Sequence, residues 1–294
     1  MKKLTMMALA VCLMTACEKD ITSNDVMKND EGLVENTANT KKFTFTLKGD
    51  FCNTWKQTRG YLQADGKDMT DVWVLDYLDG NLQQQKHLTN TDEDWAAPTL
   101  NLAYGTHHVY FIASRGQGAA LDTDNKIITW SKPSETFYKD YEVTVVSSSN
   151  GNRAVTMDRC VTRFKATITD DIPDGCSTIT ISPSSWHMGL NFETGEPITA
   201  TTSYVTAINV PSSYIGQANT QLTVFGFSSS TEWTTDITIT AKTSENVVLG
   251  TATIEDVPLK ANRSSDYAGT LFGQSNSLGL TLNTDWEVSY TGKW

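Results

Sequence analysis

The chain has 294 residues, with 23 Lys and Arg against 34 Asp and Glu, and a formal net charge of −11. An acidic body of this kind repels nucleic acid and anionic lipid, which argues against both as partners. Beyond the first residues, no apolar run approaches the eighteen or so needed for a membrane-spanning helix.

The N-terminus opens with Met1-Lys2-Lys3, followed by an apolar run from Leu4 to Ala16 that stops at Cys17 and turns to Glu18, Lys19 and Asp20. A short cationic start and about a dozen apolar residues form a secretory signal, too short to span a bilayer core of roughly 30 Å. Thr15 and Ala16 are small enough for a signal peptidase pocket, and the stretch resembles the lipobox of bacterial lipoproteins, with Met14 where Leu is usual. That resemblance implies a signal peptide over residues 1–16, cleavage before Cys17, and lipid on the Cys17 sulfur and amine. Several acyl chains anchor far better than one, each buried CH₂ contributing about 0.8 kcal/mol. The acid-rich residues after Cys17 resemble the signals that send lipoproteins to the outer face of the outer membrane. Residues 17–40 are polar, without aromatics or a period, and read as a flexible tether.

From Lys41 the pattern becomes that of strands. "FTFTL" (43–47) alternates with a period of two, a half-buried strand. "DVWVLDYL" (71–78) is apolar on both faces, as in a central strand. "HHVYFIAS" (107–114), "KIITW" (126–130) and "YEVTVVS" (141–147) follow, each closed by turn residues. "RFKATITDDIPDG" (163–175) places Phe164, Ala166 and Ile168 on one face and Arg163, Lys165 and Thr167 on the other. "STITIS", "QLTVFGF", "DITITAKT", "NVVLGTATIEDV" and "GLTLNTDWEV" continue the habit. No segment sustains a helical apolar face, and Thr, Val, Ile and aromatics dominate, so the fold class is all-β. Roughly 250 ordered residues exceed one sandwich of about 100, which predicts two β-sandwiches in tandem. The Ser/Asn/Gly run "SSSNGNR" (147–153) places a boundary between residues 41–152 and 153–294.

Taken in order, "DVWVLDYLDGNL", "LNLAYGTHHVYFIASRG", "TMDRCVTRFKATITDDIPDG", "SWHMGLNFETGE" and "VPLKANRSSDYAGTLFG" resemble the fimbrillin-like lipoproteins of type V pili, most of all the FimB-like anchor and accessory branch. The resemblance spans about residues 41 to 290. It implies two transthyretin-like β-sandwiches, a place in an adhesive fimbrium on the cell surface, and fimbrial partner subunits joined by strand addition. A host or bacterial surface ligand for the assembly is also implied. In that family an Arg-specific protease can remove the first strand of a subunit, and Arg59 in "CNTWKQTRG" (52–60) is the corresponding candidate cut site. The segment after "TLFG" holds strands needed to finish the last sheet, which favours an anchoring or terminal subunit over a repeating one.

The sequence shows no converging catalytic groups, no cofactor motif and no metal set. His107 and His108 are adjacent, so on a strand they point to opposite faces and cannot share a metal. His87 and His187 stand alone. "ASRGQGAA" (113–120) lacks the Gly-Lys-Ser/Thr of a phosphate loop and reads as a hairpin loop. In "DTDNK" (122–126) Lys126 occupies the place where a calcium loop needs an oxygen ligand. "NTDEDW" (90–95) reads as a solvated acidic loop. With Cys12 in the signal and Cys17 lipidated, Cys52, Cys160 and Cys176 remain, an odd number that forms no closed disulfide framework, although Cys160 and Cys176 can pair if their strands are neighbours. The alternative function is a glycan-binding surface lipoprotein, for which Trp55, Trp95 and Trp294, outside the strand patterns, are candidate stacking platforms, whereas Trp73 and Trp130 lie within strands and read as core.

Overall fold

The computed structural model describes residues 39–48 and 69–273, and the backbone alone at 278–279 and 290–292. The described residues are all-β, with no α-helix. The first half supplies β1 (Thr40–Lys48), β2 (Asp71–Leu78), β3 (Asn81–Thr89), β4 (Thr99–Ala103) and β5 (Gly105–Ser114). It continues with β6 (Gln117–Asp122), β7 (Ile127–Lys132), β8 (Thr136–Val145) and β9 (Asn152–Thr156). The short β10 (Asp158–Arg159) leads to β11 (Val161–Ile168), β12 (Thr178–Pro183), β13 (Gly189–Asn191), β14 (Glu196–Pro197) and β15 (Thr206–Asn209). The chain then forms β16 (Thr220–Phe227), β17 (Trp233–Lys242), β18 (Val248–Leu259), β19 (Ser264–Gly269), β20 (Leu278–Gly279) and β21 (Tyr290–Gly292).

These strands repeat one topology twice. In the first half β1 lies between antiparallel β4 and parallel β9, facing a sheet in the order β3-β2-β5-β8 that β10 extends. In the second half β11 lies between antiparallel β16 and parallel β19, and the other sheet runs β15-β12-β17-β18. Seven strands correspond one to one, with the same partners and directions. Each pair of sheets encloses its own core. Phe43, Phe45, Val72, Val74, Phe111, Phe137 and Val155 belong to the first. Phe164, Ile179, Ile181, Trp186, Leu222, Ile237 and Leu259 belong to the second.

Two insertions join the halves. The β6–β7 hairpin interrupts the first repeat between β5 and β8, and β13–β14 interrupts the second between β12 and β15. Their strands pair, Ile128 opposite Leu190, in one four-stranded sheet ordered β14-β13-β7-β6. Beneath it lies a third core of Trp73, Leu75, Tyr77, Ile112, Trp130, Val161, Leu190, Phe225 and Phe227. Trp130 stands edge-on to Trp73, with centroids 5.9 Å apart, and stacks on Phe227 at 4.9 Å. This seam explains why "DVWVLDYL" is apolar throughout: Val72 and Val74 face the first core, while Trp73, Leu75 and Tyr77 face the seam. Burial in the seam pushes the Tyr77 and Tyr110 hydroxyls up to about 12, with nearby acids adding to it.

A buried ionic cluster stands at the same joint. Glu135 binds Arg115 on one oxygen, and its other oxygen accepts from Arg159 Nη2 at 2.6 Å. Arg159 Nη1 then reaches Asn262 Oδ1 at 2.6 Å, in the turn between β18 and β19. One guanidinium thus ties the first repeat to the second through charge-assisted bonds.

The glycine-rich "ASRGQGAA" is not a hairpin loop. β5 pairs with β2 and β8 while β6 pairs with β7, so Arg115-Gly116 is a corner between two sheets. Glycine is required there because a Cβ on Gly116 would lie 2.5 Å from Trp130 Cδ1.

Candidate assembly site

The site begins with the alternation of "FTFTL". In β1, Phe43, Phe45 and Leu47 point inward and are buried, while Thr46 and Lys48 are exposed. The Phe45 ring lies 5.1 Å from Phe111 and 5.9 Å from Tyr141, and the Arg153 guanidinium covers the Phe43 ring at 5.0 Å. Main-chain bonds hold both sides, with register Phe43 to Leu100 on β4 and Leu47 to Val155 on β9. Lifting β1 out would leave β4 and β9 apart, with a slot between them floored by the first core. Such a slot takes an extended strand: main-chain bonds give affinity, and alternate side chains give specificity.

Of the residues singled out by sequence, Cys17, Cys52, Trp55, Arg59 and Trp294 lie outside the described residues. Trp95 is half-buried and packs against the first core. Trp73, Trp130 and Trp186 are buried, the last with its indole N–H donating to Phe225 O at 2.9 Å. Trp233 packs against the second core, its indole donating to Ser228 Oγ at 3.0 Å. Cys160 and Cys176 are both free and buried, and burial raises both thiols, so neither is a thiolate at neutral pH.

The histidines serve as pairs. His107 is buried, its Nδ1 2.6 Å from Asp76 Oδ1 and its Nε2 3.0 Å from Ala103 O. Donation from both ring nitrogens to these two oxygens favours the imidazolium, and the His107 pKa is raised. His108 points the other way, to Asp140 at 3.0 Å. His87 stacks on Trp73 at 4.6 Å and meets Asp71 at 2.6 Å. In "DTDNK", Asp122 accepts from the backbone and side chain of Asn125, and Lys126 pairs with Glu193. In "NTDEDW", Asp92 accepts from the backbone of Thr89 at 2.7 Å. Among the described residues, no three His, Cys, Asp or Glu side chains converge as metal ligands. The inserted seam and the His107–Asp76 pair were missed by sequence reasoning. The both-faces-apolar strand at 71–78 was the available signal for the seam.

No family model matches the chain, and no curated protein matches it. Solved structures do. A protein described as an adhesin from Bacteroides ovatus ATCC 8483 superposes with a TM-score of 0.51 at 10% identity, covering 90% of this chain and 97% of its own. A second Bacteroides ovatus protein described as an adhesin gives 0.50 at 12% identity, covering 87% and 96%. A protein described as a cell adhesion protein from Bacteroides ovatus ATCC 8483 gives 0.50 at 12%, covering 85% and 99%. Nearly the whole length of each is matched, and the chain has the fold that these Bacteroides cell-adhesion structures share.

Proposed function

We infer that this chain is a non-enzymatic surface lipoprotein, an anchor or accessory (tip) subunit of an adhesive type V fimbria, joined to its neighbour by β-strand addition. The observation that carries the reading is β1: a one-sided strand between β4 and β9 whose three inward side chains plug the first core. The fold shared with cell-adhesion proteins supports an adhesive role, and the sequence resemblance to the fimbrillin-like lipoproteins supports the fimbrium. In this reading the protein is two sandwiches, 41–152 and 153–294, held to the outer membrane by lipid on Cys17 through the 17–40 tether. The segment 52–60 then carries a choice: an intact Arg59–Gly60 bond keeps β1 and the lipid attached and makes the subunit an anchor, whereas cleavage opens the slot and frees the fold.

The test uses the full chain made in its natural lipidating background. Cys17→Ser should abolish lipid labelling and release the protein from membranes; unchanged labelling removes the anchor assignment. Treatment with an Arg-specific protease, followed by N-terminal sequencing, reports on Arg59. The treated protein should then capture a synthetic strand bearing apolar side chains at alternate positions, and failure of every cleaved sample to do so removes strand addition at β1. Glycan binding lost on Trp55→Ala or Trp294→Ala would favour the glycan-binding alternative instead.

A further inference from the structure

Strand β11 carries two cations on the face turned away from the second core, and neither is solvated. Arg163 is 1% exposed and Lys165 7% exposed. Directly opposite Lys165 in the parallel β11–β19 pairing stands Asp266, 1% exposed. Lys165 Nζ lies 2.5 Å from Asp266 Oδ2, yet Oδ2 has no partner with hydrogen-bond geometry. An ordinary ammonium–carboxylate hydrogen bond holds its heavy atoms about 2.7–2.9 Å apart and is aligned. Here the amine presses on the carboxyl group at shorter range and off that alignment. The other carboxyl oxygen is supplied with positive charge and a donor: the Ser264 hydroxyl donates to Asp266 Oδ1, and Arg163 Nη2 lies 3.7 Å from it. Arg163 is itself positioned by its Nε bond to Ser264 Oγ at 2.7 Å.

We propose that Lys165 and Asp266 form an intramolecular amide crosslink between the parallel neighbours β11 and β19 of the second sandwich. The first step passes one proton from Nζ to Oδ2, giving a neutral amine that can attack and a carboxylic acid whose hydroxyl can leave. Nζ then attacks Cγ, and the negative charge of the adduct rests on Oδ1, where Ser264 and Arg163 meet it. A proton moves from the adduct nitrogen to the Oδ2 hydroxyl, the Cγ–Oδ2 bond breaks, and one water leaves as the carbonyl re-forms on Oδ1. No oxidant or cofactor enters. The fold supplies the proximity: well-oriented intramolecular partners react as if at effective molarities of about 10⁵ M or more, and exclusion of water opposes the reverse hydrolysis. Arg163 and Ser264 are positioning and charge-stabilising groups in this step. Among the described residues, the first sandwich has no counterpart at the β1–β9 pairing. The outward positions of β1 meet β9 as Thr44 with Asn152, Thr46 with Ala154 and Lys48 with Thr156, none of them an amine–carboxyl pair.

The experiment is peptide mapping of the purified, denatured full chain by tandem mass spectrometry. The expected result is a branched peptide joining Lys165 to Asp266, lighter than the sum of its two arms by one water. Asp266→Asn should give the same branched peptide with loss of ammonia in place of water, and Asp266→Ala should give only linear peptides. If wild-type protein yields Lys165 and Asp266 entirely in linear peptides, the contact is an ion pair only and the proposal is overturned. Because that reading comes from wild type, misfolding of a variant does not obscure it.

Discussion

The two repeats share the pairings of seven corresponding strands and differ in how their first strands are held. Strand β1 alternates buried and exposed side chains, with solvent on its outer face. Its counterpart β11 is buried along nearly its whole length on both faces, with Phe164 and Ala166 in a core and Val161 in the seam. A strand covered on one side is held by its main-chain bonds and a few inward side chains, features that another strand of like pattern can offer. A strand covered on both sides is fixed by two layers of packing and a buried charge set, and no foreign strand reproduces that. In the proposed assembly, topology alone therefore does not decide which strand is exchanged; the second face does.

The largest expected effect is on β1. Phe45→Ala should cost about 3–5 kcal/mol, the range for emptying a buried phenylalanine site, because Phe45 is fully buried against Phe111 and Tyr141. Hydrogen exchange should show amides of β2 and β5 losing protection before those of β12 and β17; simultaneous loss would make the two sandwiches one cooperative unit and break the contrast. Next, Gly226→Ala places a Cβ 2.7 Å from Trp186 Cε2 in the second sandwich. Overpacking of this kind costs about 1–3 kcal/mol, and the shift should appear in thermal unfolding while a strand-capture assay at β1 stays unchanged.

A smaller effect follows from His107. Burial acts to lower its pKa, but the Asp76 hydrogen bond and charge and the Ala103 carbonyl outweigh this, and Asp79 adds to them, so the folded pKa is raised. The stabilisation is then complete below the unfolded value of about 6.5 and fades as pH rises through the folded value. Thermal midpoints of wild type minus His107→Gln should shrink across that window, and a difference that grows with pH would contradict the imidazolium assignment. Smallest of all, the exposed pair Lys139–Asp158, at 3.1 Å, should contribute under about 0.5 kcal/mol, so Lys139→Ala should unfold within error of wild type.

The strands were legible because their periodicity is local. Phe43, Phe45 and Leu47, and again Phe164, Ala166 and Ile168, announce an inward face within five residues, and the structure buries them as the alternation requires. What was not legible depends on residues distant in sequence. Arg163 and Lys165 read only as the other face of their strand; their burial needs Asp266 and the seam, about a hundred residues away for the acid. Gly116 looked like a loop glycine because nothing nearby in sequence reveals Trp130 standing over it. The inserted strands β13 and β14 are too short to show a period, and only their pairing with β7 gives them a role.

The seam sheet also sets an order of events for a chain that must find its fold. Its pairing joins Ile128 to Leu190 across intervening strands that belong to different repeats. The repeats are themselves closed by more distant pairings, Thr44 with Asn152 and Arg163 with Ser264, and non-local pairings form slowly. We predict that each repeat condenses first and the seam closes last, because β7 and β13 sit on insertions whose ends are fixed only when their own repeats have formed. Until it does, Trp73, Leu75, Tyr110, Phe225 and Phe227 face water together. A partly folded species that displays such a patch associates with others like it. Refolding yield should fall as protein concentration rises, while the rate of the last phase stays constant.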